Sequence, residues 1–99
     1  MLKPAVVTAA VLLTAPLAVA GPIDSACSGA QRAGSARLCG CIQQVADMTL
    51  SRADQRRAAV FFRDAQQAQD VRMSKSDADN AFWARYKNFA TTAQAYCSR

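Results

Sequence analysis

Apolar residues recur along this chain at helical intervals, most clearly near its end. At about 100° per residue, Phe82, Tyr86, Phe89, Ala93 and Tyr96 fall on one stripe, with Trp83, Ala90 and Cys97 on its edge and Lys87, Asn88, Thr91 and Ala95 opposite. That pattern predicts an amphipathic helix that turns its aromatic stripe and Cys97 inward. Ser76, followed three residues later by Asp79, marks its start. A second helix is predicted from Leu38, where Leu38, Cys41, Ile42, Val45, Met48 and Thr49 share an arc and Gln43, Gln44 and Asp47 lie away from it. Cys41 belongs to this inward arc and Cys39 sits at its flank.

Between the two, Ser51 with Asp54 signals a third helix, with Ala53, Val60 and Phe61 as its apolar side. Arg52, Arg56 and Arg63 form a narrow basic strip on another side, and Arg57 stands apart. The run from Asp64 to Met73, with Val71 and Met73 apolar, is either a shorter helix restarted by Asp64 or a continuation of the one before. Ahead of these, residues Gly21 to Ala36 predict a short helix around Cys27, capped by Asp24 or Ser25 and ended by Gly34 and Ser35. No alternation of strand length competes, so the expected fold is all-α, a small bundle of about four helices.

The first twenty residues stand outside this pattern. Lys3 precedes a run of small and apolar residues from Ala5 to Ala15, Pro16 breaks it, and Ala18-Val19-Ala20 offers the spacing that signal peptidase reads. Cleavage is expected before Gly21. The run is too short and too alanine-rich for a stable membrane span. Removing twenty residues from 99 leaves 79, residues 21–99, enough for a single domain. The expected destination is an exported one, periplasmic or secreted.

A core of that size holds only about 3–5 kcal/mol unaided, and four cysteines in an oxidising compartment point to two disulfides. Cys39 and Cys41, two residues apart on one helix, point to nearly opposite sides and need separate partners. The favoured pairing is Cys27–Cys39 with Cys41–Cys97; Cys27–Cys41 with Cys39–Cys97 is the alternative. On the chain-entropy account the longer loop of the favoured pairing contributes on the order of 4 kcal/mol and the shorter about 3.

Composition narrows the chemistry. Twelve Lys and Arg oppose seven acids, for a net charge of +5, and there is no His. All seven acids are Asp. Without His, haem attachment through C-x-x-C-H, Ser-His-Asp and Cys-His nucleophilic sites and nearly all catalytic zinc sites are excluded. No metal and no cofactor are expected. Most of the Asp residues sit where helix caps and first turns favour negative charge, so no catalytic carboxylate pair is assigned and the chain is not read as an enzyme.

Three constellations remain. The Arg52, Arg56, Arg63 strip can meet an anionic surface or an acidic partner, although a solvated face has the same pattern. Phe82, Trp83 and Tyr86, near Arg85 and Lys87, offer ring faces to a cationic ligand. Trp83 and Tyr86 are the candidate contacts, against the commoner use of such rings as core. Cys39-Gly40-Cys41 would suit thiol–disulfide exchange if the two cysteines paired with each other. Nucleic acid is not an expected partner, because export removes the chain from it and the aromatics are committed to the core stripe.

A cysteine after a leader, then RLCGCIQQVAD at 37–47, DQRRAAVFFRD at 54–64 and AFWARYKNFATTAQAYC at 81–97, resembles a group of short exported bacterial proteins, some labelled "arginine transporter". A chain with no room for several membrane spans would hold an accessory or binding role in such uptake. Three function classes follow: a non-catalytic helical module that binds a protein or envelope component, a binder linked to arginine transport, and a thiol redox protein.

Overall fold

The computed structural model describes residues 21–30 and 35–98. The expected leader over 1–20 and the turn at Gly34 lie outside the described residues. Five helices occupy the described chain: α1 (Pro22–Gly29), α2 (Ala36–Thr49), α3 (Arg52–Arg63), α4 (Ala65–Met73) and α5 (Asp77–Cys97). The fold is all-α, and Asp64 does restart the chain as a separate helix.

Capping explains four of the five starts. The side chains of Ser35, Ser51, Asp64 and Ser76 accept hydrogen bonds from the backbone N–H of Leu38, Asp54, Gln66 and Asp79, each satisfying one donor that a helix leaves unpaired. Asp64 is at once the last cap of α3 and the first of α4, so a single residue makes the bend. Helix α1 departs from expectation. It begins at Pro22 with Gly21 as its cap residue, upstream of Asp24 and Ser25. Proline fits the first helical position because its missing N–H would be unpaired there anyway, and Asp24 falls in the first turn, where the helix dipole favours an acid.

Helix α1 packs on α2 and α3, α2 also packs on α5, and α4 bridges α3 and α5. Helix α2 therefore has neighbours on two sides, and its buried face differs from the apolar arc. Cys39, Gln43, Val45 and Ala46 are buried, Cys41 is half-buried, and Met48 is 69% exposed. The flank position of Cys39 faces α1, which is why it is the better covered of the two cysteines. On α3 the buried residues are Gln55, Ala58, Ala59 and Phe61, whereas Ala53 and Val60 face solvent. Ala58 and Ala59 are fully covered, and side chains this small permit a close approach of neighbouring helices. Met73 and Tyr96, both expected to point inward, are 76% and 73% exposed. Met73 ends a short helix held by Val71 and the partly buried Ala68, and the rotation of α5 is fixed by Cys97, one residue and about 100° beyond Tyr96.

Two disulfides complete the frame, in the favoured pairing. Cys27–Cys39 joins α1 to α2 with a Cα separation of 5.6 Å, and Cys41–Cys97 joins α2 to the end of α5 at 5.9 Å, both in the usual range. The core runs from Ile23 and Ala46 through Ala58 and Phe61 to Phe82 and Phe89. Phe82, 1% exposed, is its largest fully buried side chain, and burial of a ring of that size contributes about 1.5–3 kcal/mol.

Candidate functional site

All the cysteines are taken up by the two disulfides. Cys39 and Cys41 do not pair with each other; each ties α2 to a different helix.

A buried amide cluster holds the junction of α1, α2 and α3. Gly21 offers α1 no side-chain cap, and Gln43 of α2 supplies one instead: its Oε1 accepts from the N–H of both Ile23 and Asp24 at 2.9 Å. Its Nε2 donates to Gln55 Oε1 at 2.7 Å and to Asp47 Oδ1 at 2.9 Å. Gln55 Nε2 in turn donates to Asp47 Oδ1 at 3.1 Å and to the Leu50 carbonyl at 3.3 Å. Gln43 thereby uses both acceptor sites and both donors of its carboxamide. A Cβ on Gly21 would collide with that carboxamide, so the glycine is required by close approach rather than by backbone conformation. Periodicity assigns Gln43 to the outside. The signal in the sequence is indirect: a helix opening on Gly-Pro lacks a capping side chain of its own and must find an acceptor elsewhere.

The arginines of α3 divide into two sets. Between α3 and α5, Arg57 pairs with Asp79, and Arg85 binds Asp54 through two nitrogens, Nε at 2.6 Å and a terminal nitrogen at 3.2 Å. The Arg85 guanidinium is held still more firmly protonated by Asp54. The Ser74 hydroxyl, together with the Arg57 guanidinium, holds the Asp79 carboxyl below its usual range. In the other set, Arg52, Arg56 and Arg63 are exposed and make no ion pair or side-chain hydrogen bond with any described residue. The expected separation of Arg57 from this strip is a separation between an internal clamp and a free face.

Trp83 and Tyr86 come together with ring centroids 5.2 Å apart, and Phe61 reaches both, at 6.4 and 5.0 Å. Both are half-buried, and burial raises the Tyr86 hydroxyl above its ordinary pKa. The aromatic face nearest a cation is that of Phe82, which carries the chain's own Arg57 at 4.4 Å and Arg85 at 6.0 Å. This cluster joins core packing to the α3–α5 clamp.

Two surface depressions were not foreseen. An open groove of about 430 Å³ runs between α2 and α5 beside the Cys41–Cys97 bond, with Leu38, Ile42 and Ala93 as its apolar lining. A depression of about 330 Å³ lies where the ends of α1 and α3 meet the start of α4, lined by Gly29, Ala30, Phe62, Arg63 and Ala65. No group of three or more His, Cys, Asp or Glu able to hold a metal occurs among the described residues. No helix among them is long and apolar enough to cross a membrane. Neither a family model, nor a curated protein, nor a solved structure matches the chain, so its functional reading is built on these residues alone.

Proposed function

We propose that this chain is a small exported, non-catalytic helical module that works by binding a component of the cell envelope. One observation carries the reading: the chemistry of the interior is internally consumed, while cations without partners remain outside. Both disulfides fasten peripheral helices to α2. No buried side-chain nitrogen or oxygen lacks a partner among the described residues, and the arginine strip of α3 is left facing solvent. A scaffold that stabilises itself in this way presents a surface rather than a reactive centre.

The test is crosslinking in intact native cells from a photoreactive group at exposed Val60, coupled to fractionation and thiol mapping. Discrete adducts, recovered outside the cytoplasm from a chain that lacks residues 1–20 and has no alkylatable thiol, are expected. Recovery of the full chain in the cytoplasm with reduced cysteines would overturn the reading. Calorimetry with L-arginine at millimolar concentration is expected to give no heat of binding; a saturable heat would replace envelope binding with a role in transport.

A further inference from the structure

Resting on the reading of the chain as an envelope-binding module, we infer that the outer face of α3 is a docking surface for membranes rich in anionic phospholipid. Arg52, Arg56 and Arg63 fall within about 40° of one another around the helix axis and span the twelve residues of α3, about 16 Å of helix at about 1.5 Å per step. All three are exposed and have no ion-pair partner among the described residues, whereas the acid of the same helix, Asp54, is turned to Arg85 of α5. No carboxylate of α3 therefore neutralises the strip. Arginine is suited to phosphate because its planar fork can donate two parallel hydrogen bonds to one headgroup.

A second feature lies at the end of the same strip. Arg63 lines the depression whose other walls include the half-buried Phe62 and the exposed Ala65, so a guanidinium stands beside a recess of mixed polar and apolar lining. Phosphate on the strip and the glycerol and ester region of the same lipid, itself mixed in polarity, in the recess would be matched together. Val60 and Ala53, exposed beside the arginines, add small apolar contacts at the level where a helix lies in the headgroup region. Phe62 is the one ring beside the strip; Phe61, Trp83 and Tyr86, whose faces a single-stranded nucleic acid would need as a stacking platform, are grouped where α3 meets α5.

Flotation with vesicles tests this. The oxidised chain lacking residues 1–20 is mixed with vesicles of equal phosphatidylglycerol and phosphatidylcholine, or of phosphatidylcholine alone. Partitioning is expected only to the first and is expected to weaken with salt. At about fivefold per arginine near an anionic surface, the triple variant R52Q/R56Q/R63Q is expected to lose on the order of a hundredfold in partitioning. The control R72Q/K75Q/K87Q removes three exposed charges elsewhere and keeps the same net charge as the first triple; it is expected to change partitioning only a few-fold. Ala65→Glu, which suits the first turn of α4, is expected to preserve the helical circular dichroism and weaken binding at the recess. Equal losses in both triples would reduce the effect to net charge and overturn the inference, as would the absence of partitioning to phosphatidylglycerol. If vesicles fail while crosslinking in cells still captures a discrete protein, the lipid surface falls and the binding module stands.

Discussion

The two ends of this bundle are joined by opposite means. Where α1 meets α2 and α3, the contact is closed by amides: Gln43 and Gln55, 7% and 3% exposed, hydrogen-bond to each other, to Asp47 and to the opening of α1. Where α3 meets α5, the contact is closed by rings, with Phe61 at 5.9 Å from Phe82 and 5.0 Å from Tyr86, and ion pairs only fringe it. Apolar burial scales with area and tolerates small shifts. Buried amides contribute little net energy when satisfied and cost much when one partner is missing. One junction therefore supplies stability, while the other enforces a single arrangement of three helices.

The largest effect is expected at the ring junction. Phe82→Ala removes the most buried ring of the core and should cost about 3–5 kcal/mol, comparable with everything such a core holds. Urea denaturation of the oxidised chain should show a much lower midpoint, and with both disulfides reduced the variant should be largely unfolded before denaturant is added. A loss of under 1 kcal/mol would mean that Phe61 and Phe89 refill the space and that the rings do not hold α5 in place.

The disulfides come next and also separate the two regions. Cys41 is half-buried while Cys39 is fully covered, so mild reductant should open Cys41–Cys97 first, as mapped by alkylation and mass measurement. Losing that bond, which closes a loop of 56 residues, should cost about 2–4 kcal/mol. Initial loss of Cys27–Cys39 instead would show that the α1 junction opens more readily than its burial implies.

At the amide junction, Gln43→Leu keeps the volume and removes the hydrogen bonds, leaving the N–H groups of Ile23 and Asp24 and the Gln55 carboxamide short of partners. About 1–3 kcal/mol should be lost. The sharper measurement is a double-mutant cycle with Gln55→Leu, because replacing both partners should cost less than the sum of the two single changes. Strict additivity would mean that the two amides do not act as one unit.

The same contrast explains what could be read in the sequence. Ring contacts announce themselves as a stripe: Phe82, Phe89 and Ala93 recur at helical spacing and are buried as expected. The caps at Ser51 and Ser76 follow from local geometry in the same way. Gln43 and Gln55 are opaque because a polar residue is assigned to the surface unless its partners are known, and those partners are twenty and twelve residues away. Met48 and Val60 fail for the converse reason: an apolar side chain finds the interior only where a neighbouring helix covers it, and helix rotation is set by tertiary contacts. The arginine strip was legible as a strip. That Arg57 belongs to a clamp while Arg52, Arg56 and Arg63 do not required the position of Asp79.

The smallest effect belongs to that clamp, and pH separates it from the rest. In the folded chain the Asp79 carboxyl titrates below its ordinary value of 3.8, through its Ser74 and Arg57 partners. A carboxyl whose folded pKa is depressed adds stability that is complete well above the unfolded value and disappears as pH falls through the folded one. Asp79→Asn should therefore lower Tm by no more than a few degrees at neutral pH, as fits an exposed ion pair. The gap between the two proteins should close as pH falls below 3.8. Tyr86 should act at the other extreme: its pKa is raised by burial above 10.0, so its contribution is intact below that pH and is lost as alkali drives the hydroxyl to ionise inside the ring cluster. Thermal melts of the wild type, Asp79→Asn and Tyr86→Phe across both ranges distinguish the clamp from the rings it borders. If the Asp79→Asn gap stays constant into acid, the Asp79 charge contributes nothing at this junction, and aromatic packing with the Arg85–Asp54 pair holds α3 to α5.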